Sequence, residues 1–493
     1  MAGSTLIFTF VTIMKKNDKK QSGQVFTPKF IVDNMLDYCG YTGSAIVDKH
    51  IIDNSCGCGA FLCEIADRYC SACLDAGLST ETTKHGLCKY IHGLDLDTAA
   101  IDDCIRKLNA IVAKYGIFDI HWDIRVENAL KVGEYDGLMD FVVGNPPYVR
   151  VHNLETNYSD VKTFAFNKDG MTDLYLAFYE IGFNMLAEGG KLCYITPSSW
   201  LNSLAATSMR RYIMRHRNLI SVVDLEHFQP FDNVTTYTMI ALFSKDGRND
   251  RFGYYIYDTH SKSRIHVCDL AYTDIYIDGN FYLSDCSALN ALHCIKTAPV
   301  TQFARVKNGF ATLADNVFIN DIIPDSPYTI KTIKASTGKW HKCFFPYDHN
   351  GKPIVAEQVF ANNGIKMYME SRRRDILKNK EDFPEWYLYG RTQALADVCK
   401  RKIAINTIIK DIDSIRLEEV PAGCGVYSGL YILTDESIDT IKSIIINPDF
   451  IEYVALLKKY KSGGYYTFNS KDIEQYINYK LTYNNENREQ HIA

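Results

Sequence analysis

Between Ile46 and Phe243, short β-like runs alternate with stretches whose apolar residues recur at helical spacing. No other feature of the chain limits its fold as strongly, because strands separated by helices need crossover connections and so form a parallel sheet covered by helices. The expected strands are AIVDKHIID, YIHGLD, IHWDIRV, DFVVG, KLCYITP, LISVVDL and TTYTMIALF. GAFLCEIADRYCSACLDAG and TDLYLAFYEIGFNMLAEGG carry the helical period and close with glycine. The pattern predicts an α/β domain of seven strands. After SKDGRND, residues 244–250, the alternation stops and the sequence becomes rich in Tyr, Ile and Asp, which places a mixed α+β domain at 249–493. A length of 493 residues is ample for both.

The formal net charge of −5 neither marks nor excludes a nucleic-acid binder, since phosphate contact depends on a local patch. Fifteen cysteines at irregular spacings suit a reducing cytosol. Cys56, Cys58, Cys63, Cys70 and Cys73 crowd together without a second matched pair or companion histidines. Cys70 and Cys73 share an apolar helical face, so buried thiols are expected instead of zinc ligands. The stretch LIFTFVTIM, residues 6–14, is too short to span a bilayer, and its charges follow it where a signal peptide would have them in front. Residues 1–22 therefore read as a dispensable leader, with Met14 a second candidate start.

DNSCGCGAF, residues 53–61, brings an acid and two glycines to a strand-to-helix turn, where ligands sit in an open α/β sheet. A plain tight turn accounts for GxG equally well. GLDLD ends the second strand and puts Asp95 where a carboxylate can accept from ribose hydroxyls, while Asp97 suits a helix N-cap. Asn128 offers an amide after the third strand. Neither GxGxxG nor GxxxxGKS or GxxxxGKT occurs, so a nucleoside without a polyphosphate fits best. In DFVVGNPPYVR, residues 140–150, a buried strand ends on two prolines that continue neither strand nor helix, which makes a rigid loop presenting Asn145 and Tyr148.

The succession GQVFTP (23–28), DNSCGCGAF, GLDLD and NPPY, joined by TDLYLAF (172–178) and PFDNVTTYT (230–238), resembles the gamma-class, TaqI-like N6-adenine DNA methyltransferases of restriction-modification systems. The resemblance implies a Rossmann-like class I methyltransferase domain at 23–248 followed by a target-recognition domain. It implies S-adenosylmethionine as methyl donor, with Phe26, Thr27 and Pro28 at its methionine end and Asp53, Ser55 and Gly57 lining its cleft. Asp95 would bind the ribose, Leu96 would pack on the cofactor's adenine, Asn128 would meet that ring's exocyclic edge, and Asn145 would border the donor. Asn145 and the Pro146 carbonyl would accept the two hydrogens of the target amine, Pro147 would stiffen the loop, and Tyr148 and Phe231 would stack on opposite faces of a flipped-out adenine. No metal is needed. The chain departs from the family in having Asn54 where Pro is frequent and Asn128 where Asp is frequent.

The implied partner is double-stranded DNA. MRRYIMRHR (209–217), SRRRDILKNK (371–380), CKRK (399–402) and KKYK (458–461) are candidate phosphate clamps, and Arg391 and Gln393 have side chains suited to base edges. NPPY also serves enzymes that methylate protein glutamine or RNA guanine, and a DNA-specificity module with a vestigial catalytic half is a non-enzymatic alternative. The expectation is a monomeric, cytoplasmic, prokaryotic modification enzyme without a membrane segment, any restriction endonuclease being a separate chain.

Overall fold

The computed structural model describes residues 26–150, 158–231, 236–378 and 384–490. The expected leader, residues 1–22, lies outside them, as do residues 23–25 of GQVFTP. The chain divides into two compact units, Met1–Asn290 and Ala291–Ala493.

The first unit begins with α1 (Lys29–Cys39) and continues through β1 (Ile51–Asp53), α2 (Ala60–Asp75), α3 (Thr80–Tyr90), β2 (Ile91–Asp95), α4 (Thr98–Val112), β3 (Asp123–Val126) and β4 (Met139–Gly144). It then runs through α5 (Leu174–Met185), β5 (Leu186–Pro197), α6 (Thr207–His216), β6 (Leu219–Asp224), β7 (Thr238–Ser244), β8 (Arg251–Asp258) and β9 (Ser263–Ala271). The strands form one sheet in the order β3-β2-β1-β4-β5-β7-β6-β8-β9. β1 to β5 are parallel, and β7 lies antiparallel between β5 and β6. All seven expected strands are present, in the Rossmann-like class I methyltransferase arrangement.

Two corrections concern its far edge. The sheet has nine strands, and the expected boundary at 249 falls between β7 and β8, which belong to the same sheet. β8 pairs in parallel with β6, from Ser221↔Gly253 to Asp224↔Ile256, and β9 returns antiparallel to β8. β7 already carries the chain back antiparallel before β8, and β9 follows β8 antiparallel, so neither strand is preceded by a crossover helix and the loss of alternation after residue 244 does not end the domain.

The local rules are visible in the helices. α2 turns Phe61, Leu62, Ile65, Ala66, Tyr69, Cys70 and Cys73 into the core, a spacing of three and four residues that makes one buried face. Cys70 and Cys73 are thus core thiols, and among the described residues no group of His, Cys, Asp and Glu converges to hold a metal ion. α2 starts from Gly59 at φ 81°, where an added Cβ would stand 2.5 Å from the Cys104 sulfur. Asp97 caps α4 as expected, accepting from the Ala99 and Ala100 amides at 2.9 and 3.3 Å. No described helix is long and apolar enough to cross a membrane.

The second unit is mixed α+β, with β10 (Ala304–Asn308), β11 (Thr329–Lys334), β12 (Lys339–Phe344), α7 (Asn363–Leu377), β13 (Lys402–Ile405), β14 (Leu417–Val420), β15 (Gly425–Tyr427), β16 (Leu430–Thr434) and α8 (Ser470–Gln490) among its elements. One sheet has the order β10-β16-β13-β14 and another β12-β11-β15. An aromatic core including Phe310, Phe344, Phe345, Tyr347, Trp386 and Tyr389 fills part of the unit.

Candidate active site

In an open α/β sheet the ligand crevice opens where the strand order reverses, at the carboxyl ends of the strands. Here that point lies between β1 and β4, held in register by Ile51↔Phe141 and Ile52↔Val142. Asp53 and Gly144 therefore leave the sheet side by side. A Cβ on Gly144 would stand 2.7 Å from Asp53 Oδ1, at a φ of 154°. Gly144 belongs to the site, although the strand pattern gave it no role, because its need for glycine comes from a carboxylate distant in sequence.

Asp53 is 2% exposed and its Oδ1 accepts from the Ser55 amide at 3.1 Å. Removal from water pushes its carboxyl up to about 8; the Ser55 amide opposes this shift and the nearby Asp95 charge adds to it. Asp95 sits at the end of β2 with one oxygen accepting from the Gly57 amide at 2.8 Å and the other from the Asp97 amide at 2.9 Å. These bonds fix the carboxylate at the rim while each oxygen keeps acceptor capacity. Gly57, at φ 48°, has open space where a Cβ would project, so a ligand can approach the backbone. Leu96, which follows Asp95, is 60% exposed and offers an apolar surface at the rim.

The other wall comes from the residues before α1. Thr27 is buried, and its Oγ1 accepts from Asn145 Nδ2 at 3.1 Å. Phe26 is largely exposed, and the Pro28 carbonyl starts α1 by accepting from Ile31 and Val32. The bond to Thr27 orients the Asn145 amide. Its Oδ1 is buried and, among the described residues, accepts no hydrogen bond; the same holds for Ser55 Oγ. Buried polar atoms are nearly always paired, so two such oxygens beside a buried carboxylate point to a missing polar partner.

Pro146 is buried behind Asn145. Tyr148 is half-buried and donates from its hydroxyl to the Ile195 carbonyl at 3.0 Å. Phe231 meets it edge-on, with ring centroids 6.3 Å apart at 70°, and Tyr175 does likewise at 6.4 Å and 81°. The expected pair of stacking faces is thus not an open parallel slot. Phe231 is 5% exposed and packs in the core, and residues 232–235 that follow it lie outside the described residues.

The two family departures have structural counterparts. Asn54 is buried against β5, its Oδ1 accepting from the Tyr194 hydroxyl at 2.9 Å and its amide nitrogen directed to Met185 Sδ at 3.8 Å. Asn128 uses its Oδ1 to accept from the Leu130 amide at 3.0 Å, closing the turn after β3.

Two of the clustered cations, Arg210 and Lys402, are buried. Arg210 is 2% exposed and donates to the carbonyls of Trp200, Ser203 and Gly279. Lys402 is buried and donates to the carbonyls of Lys400 and Cys424, with burial lowering its ammonium to about 8. Arg401 pairs with Glu419, Lys400 with Asp397 and Lys459 with Asp472. Gln393 donates to the Gly309 carbonyl, whereas Arg391 is exposed. Within CKRK, Lys402 is buried and serves the fold, whereas Lys400 and Arg401 are exposed and engaged in ion pairs.

Residues 68–231 match the family described as Eco57I restriction-modification methylase. Over 489 residues the chain is 21% identical to the type II restriction enzyme and methyltransferase RM.Eco57I of Escherichia coli, covering 78% of this chain and 49% of that protein. It is 27% identical over 243 residues to the type II methyltransferase M.BstVI of Geobacillus stearothermophilus, covering 46% of this chain and 43% of that protein. The chain thus spans about half, or less, of these relatives' length. Among solved structures it is similar to the type IIL restriction-modification enzyme MmeI in complex with DNA, with a TM-score of 0.57 at 12% identity over 90% of this chain and 63% of that one. The DrdV–DNA complex gives a TM-score of 0.53 at 12% identity over 84% and 49%. The first unit has the class I methyltransferase fold. Within that class, the matched family and the curated relatives uphold the resemblance to the gamma-class restriction-modification methyltransferases.

Proposed function

We propose that the chain transfers a methyl group from S-adenosylmethionine to N6 of an adenine flipped out of double-stranded DNA, as the modification activity of a restriction-modification system. The observation that carries this reading is Asn145 Oδ1, a buried acceptor without a partner among the described residues, on an amide oriented by Thr27 and in the residue after the Gly144 that abuts Asp53.

The crevice suits the donor chemically. Asp53 suits an ammonium, Asp95 a pair of ribose hydroxyls and the exposed Leu96 a flat ring, while the open backbone at Gly57 leaves room for close approach. S-adenosylmethionine supplies an electrophilic methyl group on a sulfonium.

The chain's own residues address the nucleophile. An exocyclic adenine nitrogen is weakly nucleophilic because its lone pair is delocalised into the ring. Asn145 Oδ1 and the Pro146 carbonyl accept its two hydrogens and draw the nitrogen toward a tetrahedral geometry, which frees the lone pair. Thr27 and the two prolines keep the acceptors from drifting, so orientation is supplied before reaction. Tyr148 offers a ring to the extruded base and offsets part of an unstacking cost of a few kcal/mol. The same chemistry fits a protein amide or an RNA base. DNA is favoured by the matched restriction-modification family and by relatives named as type II methyltransferases.

The test is methyl transfer by purified protein to DNA, RNA and protein acceptors in parallel, with donor binding followed by calorimetry. Asn145→Ala should bind the donor normally and methylate DNA about 10²–10³-fold more slowly, the scale of losing one preorganised hydrogen-bond partner. Full activity in that variant would refute the role of Asn145, and transfer to RNA or protein alone would overturn the choice of DNA.

A further inference from the structure

The chain that leaves the NPPY loop is clamped again a short way on. Val149 accepts at its carbonyl from the Leu174 amide at 2.8 Å, and Arg150 pairs antiparallel with Asp173. This holds the turn before α5 beside the loop that carries Tyr148. The turn is tied down from beneath: the fully buried Asn167 donates to Thr172 Oγ1 at 2.7 Å and to the Asp173 carbonyl at 3.1 Å. Ser208 Oγ donates to Asp169 Oδ2 at 2.6 Å, tying it to α6.

At the tip of this anchored turn Met171 is 76% exposed. Leu204, 73% exposed, comes from the short turn after β5, and its Cγ would be 3.5 Å from a Cβ placed on Gly170, the residue before Met171. Exposed apolar side chains are ordinary when scattered singly. Here two come from separate segments, with Leu204 packed against the residue before Met171, on a turn anchored beside the candidate catalytic loop. Arg150 and Lys168 are exposed on these two segments and offer cations to a phosphate backbone, beside Asp169 and Asp173 of the same turn.

We propose that Met171 and Leu204 form an apolar prong that enters the duplex beside the target base and fills the place it vacates. The inference rests on the base-flipping reading above. Extrusion leaves a gap whose walls are the faces of neighbouring bases; apolar side chains of this kind wedge between base steps and stabilise the opened state. The prong would act on duplex opening and leave methyl transfer to an already accessible base unaffected.

The experiment uses the full chain and a duplex bearing its methylation site, with a second duplex in which the target's pairing partner is an abasic residue. Methyl transfer is compared for wild type and for the double variant Met171→Ser, Leu204→Ser. On the paired duplex the variant should be slowed about tenfold or more, since it must open a stacked pair unaided. On the abasic duplex it should come within about twofold of wild type, because the opening cost is already reduced. Its melting temperature and donor affinity should match wild type, and Met171→Leu with Leu204→Met should restore the rate on the paired duplex. Equal slowing on both duplexes, or none on the paired one, would overturn the prong. A wild type that methylates neither duplex would instead overturn the base-flipping reading, and the prong with it.

Discussion

Asp53 and Asn145 show how one register pair, β1 beside β4, makes a site. Each residue was visible in the sequence as part of a motif, but what makes them chemically distinctive is burial, and burial comes from residues far away along the chain. Asp53 carries a pH signature. Its folded-state value of about 8 lies above the ordinary 3.8, so between these limits the folded protein keeps a proton that the unfolded chain has released. Its contribution to stability therefore falls as pH rises through that window and is level above it. Asp53→Asn should remove this slope and raise the melting temperature at pH 8 relative to wild type; a steeper slope in the variant would contradict it. A bound ammonium favours the carboxylate, so donor affinity should strengthen with pH up to about 8, with proton release on binding at pH 7 measurable by calorimetry in buffers of different ionisation enthalpy. Gly144 was not legible, because nothing in GNPPY announces that an added Cβ would stand 2.7 Å from Asp53 Oδ1.

At the scale of elements, periodicity served well where it had a physical cause. The seven alternating strands and the buried face of α2 follow from crossover geometry and from helical spacing. β8 and β9 escaped because a returning edge strand leaves no helix in the sequence to mark it. Charge runs do not show which cations are already engaged: clustering along the chain says nothing of partners across a sheet, and Arg401 meets Glu419 on the neighbouring β14 while Lys402 is buried on β13. The turn into α2 is the place to test local conformation. Gly59→Ala would set a Cβ against the Cys104 sulfur at a φ that disfavours side chains, and should cost about 1–3 kcal/mol in denaturant unfolding. An unchanged midpoint would mean that the turn relaxes freely.

For the whole molecule, phosphate contact depends on which surface cations are free to make it, and Arg401 is already paired with Glu419. Arg401→Gln should accordingly shift the slope of log affinity for DNA against log salt by well under one, where loss of a true phosphate contact shifts it by about one. A full unit would place Arg401 at the DNA surface. If the β1–β4 crevice methylates adenine in duplex DNA by way of Asn145, cells that make the protein should carry the mark and cells that make Asn145→Ala should not. The most direct test is to express wild type and Asn145→Ala in a host lacking adenine methylation and to map modified bases across the genome by single-molecule sequencing. N6-methyladenine should appear at a defined sequence with wild type and be absent with the variant. Absence of the mark from cells containing active, donor-binding wild type, or an equal mark with Asn145→Ala, would contradict this.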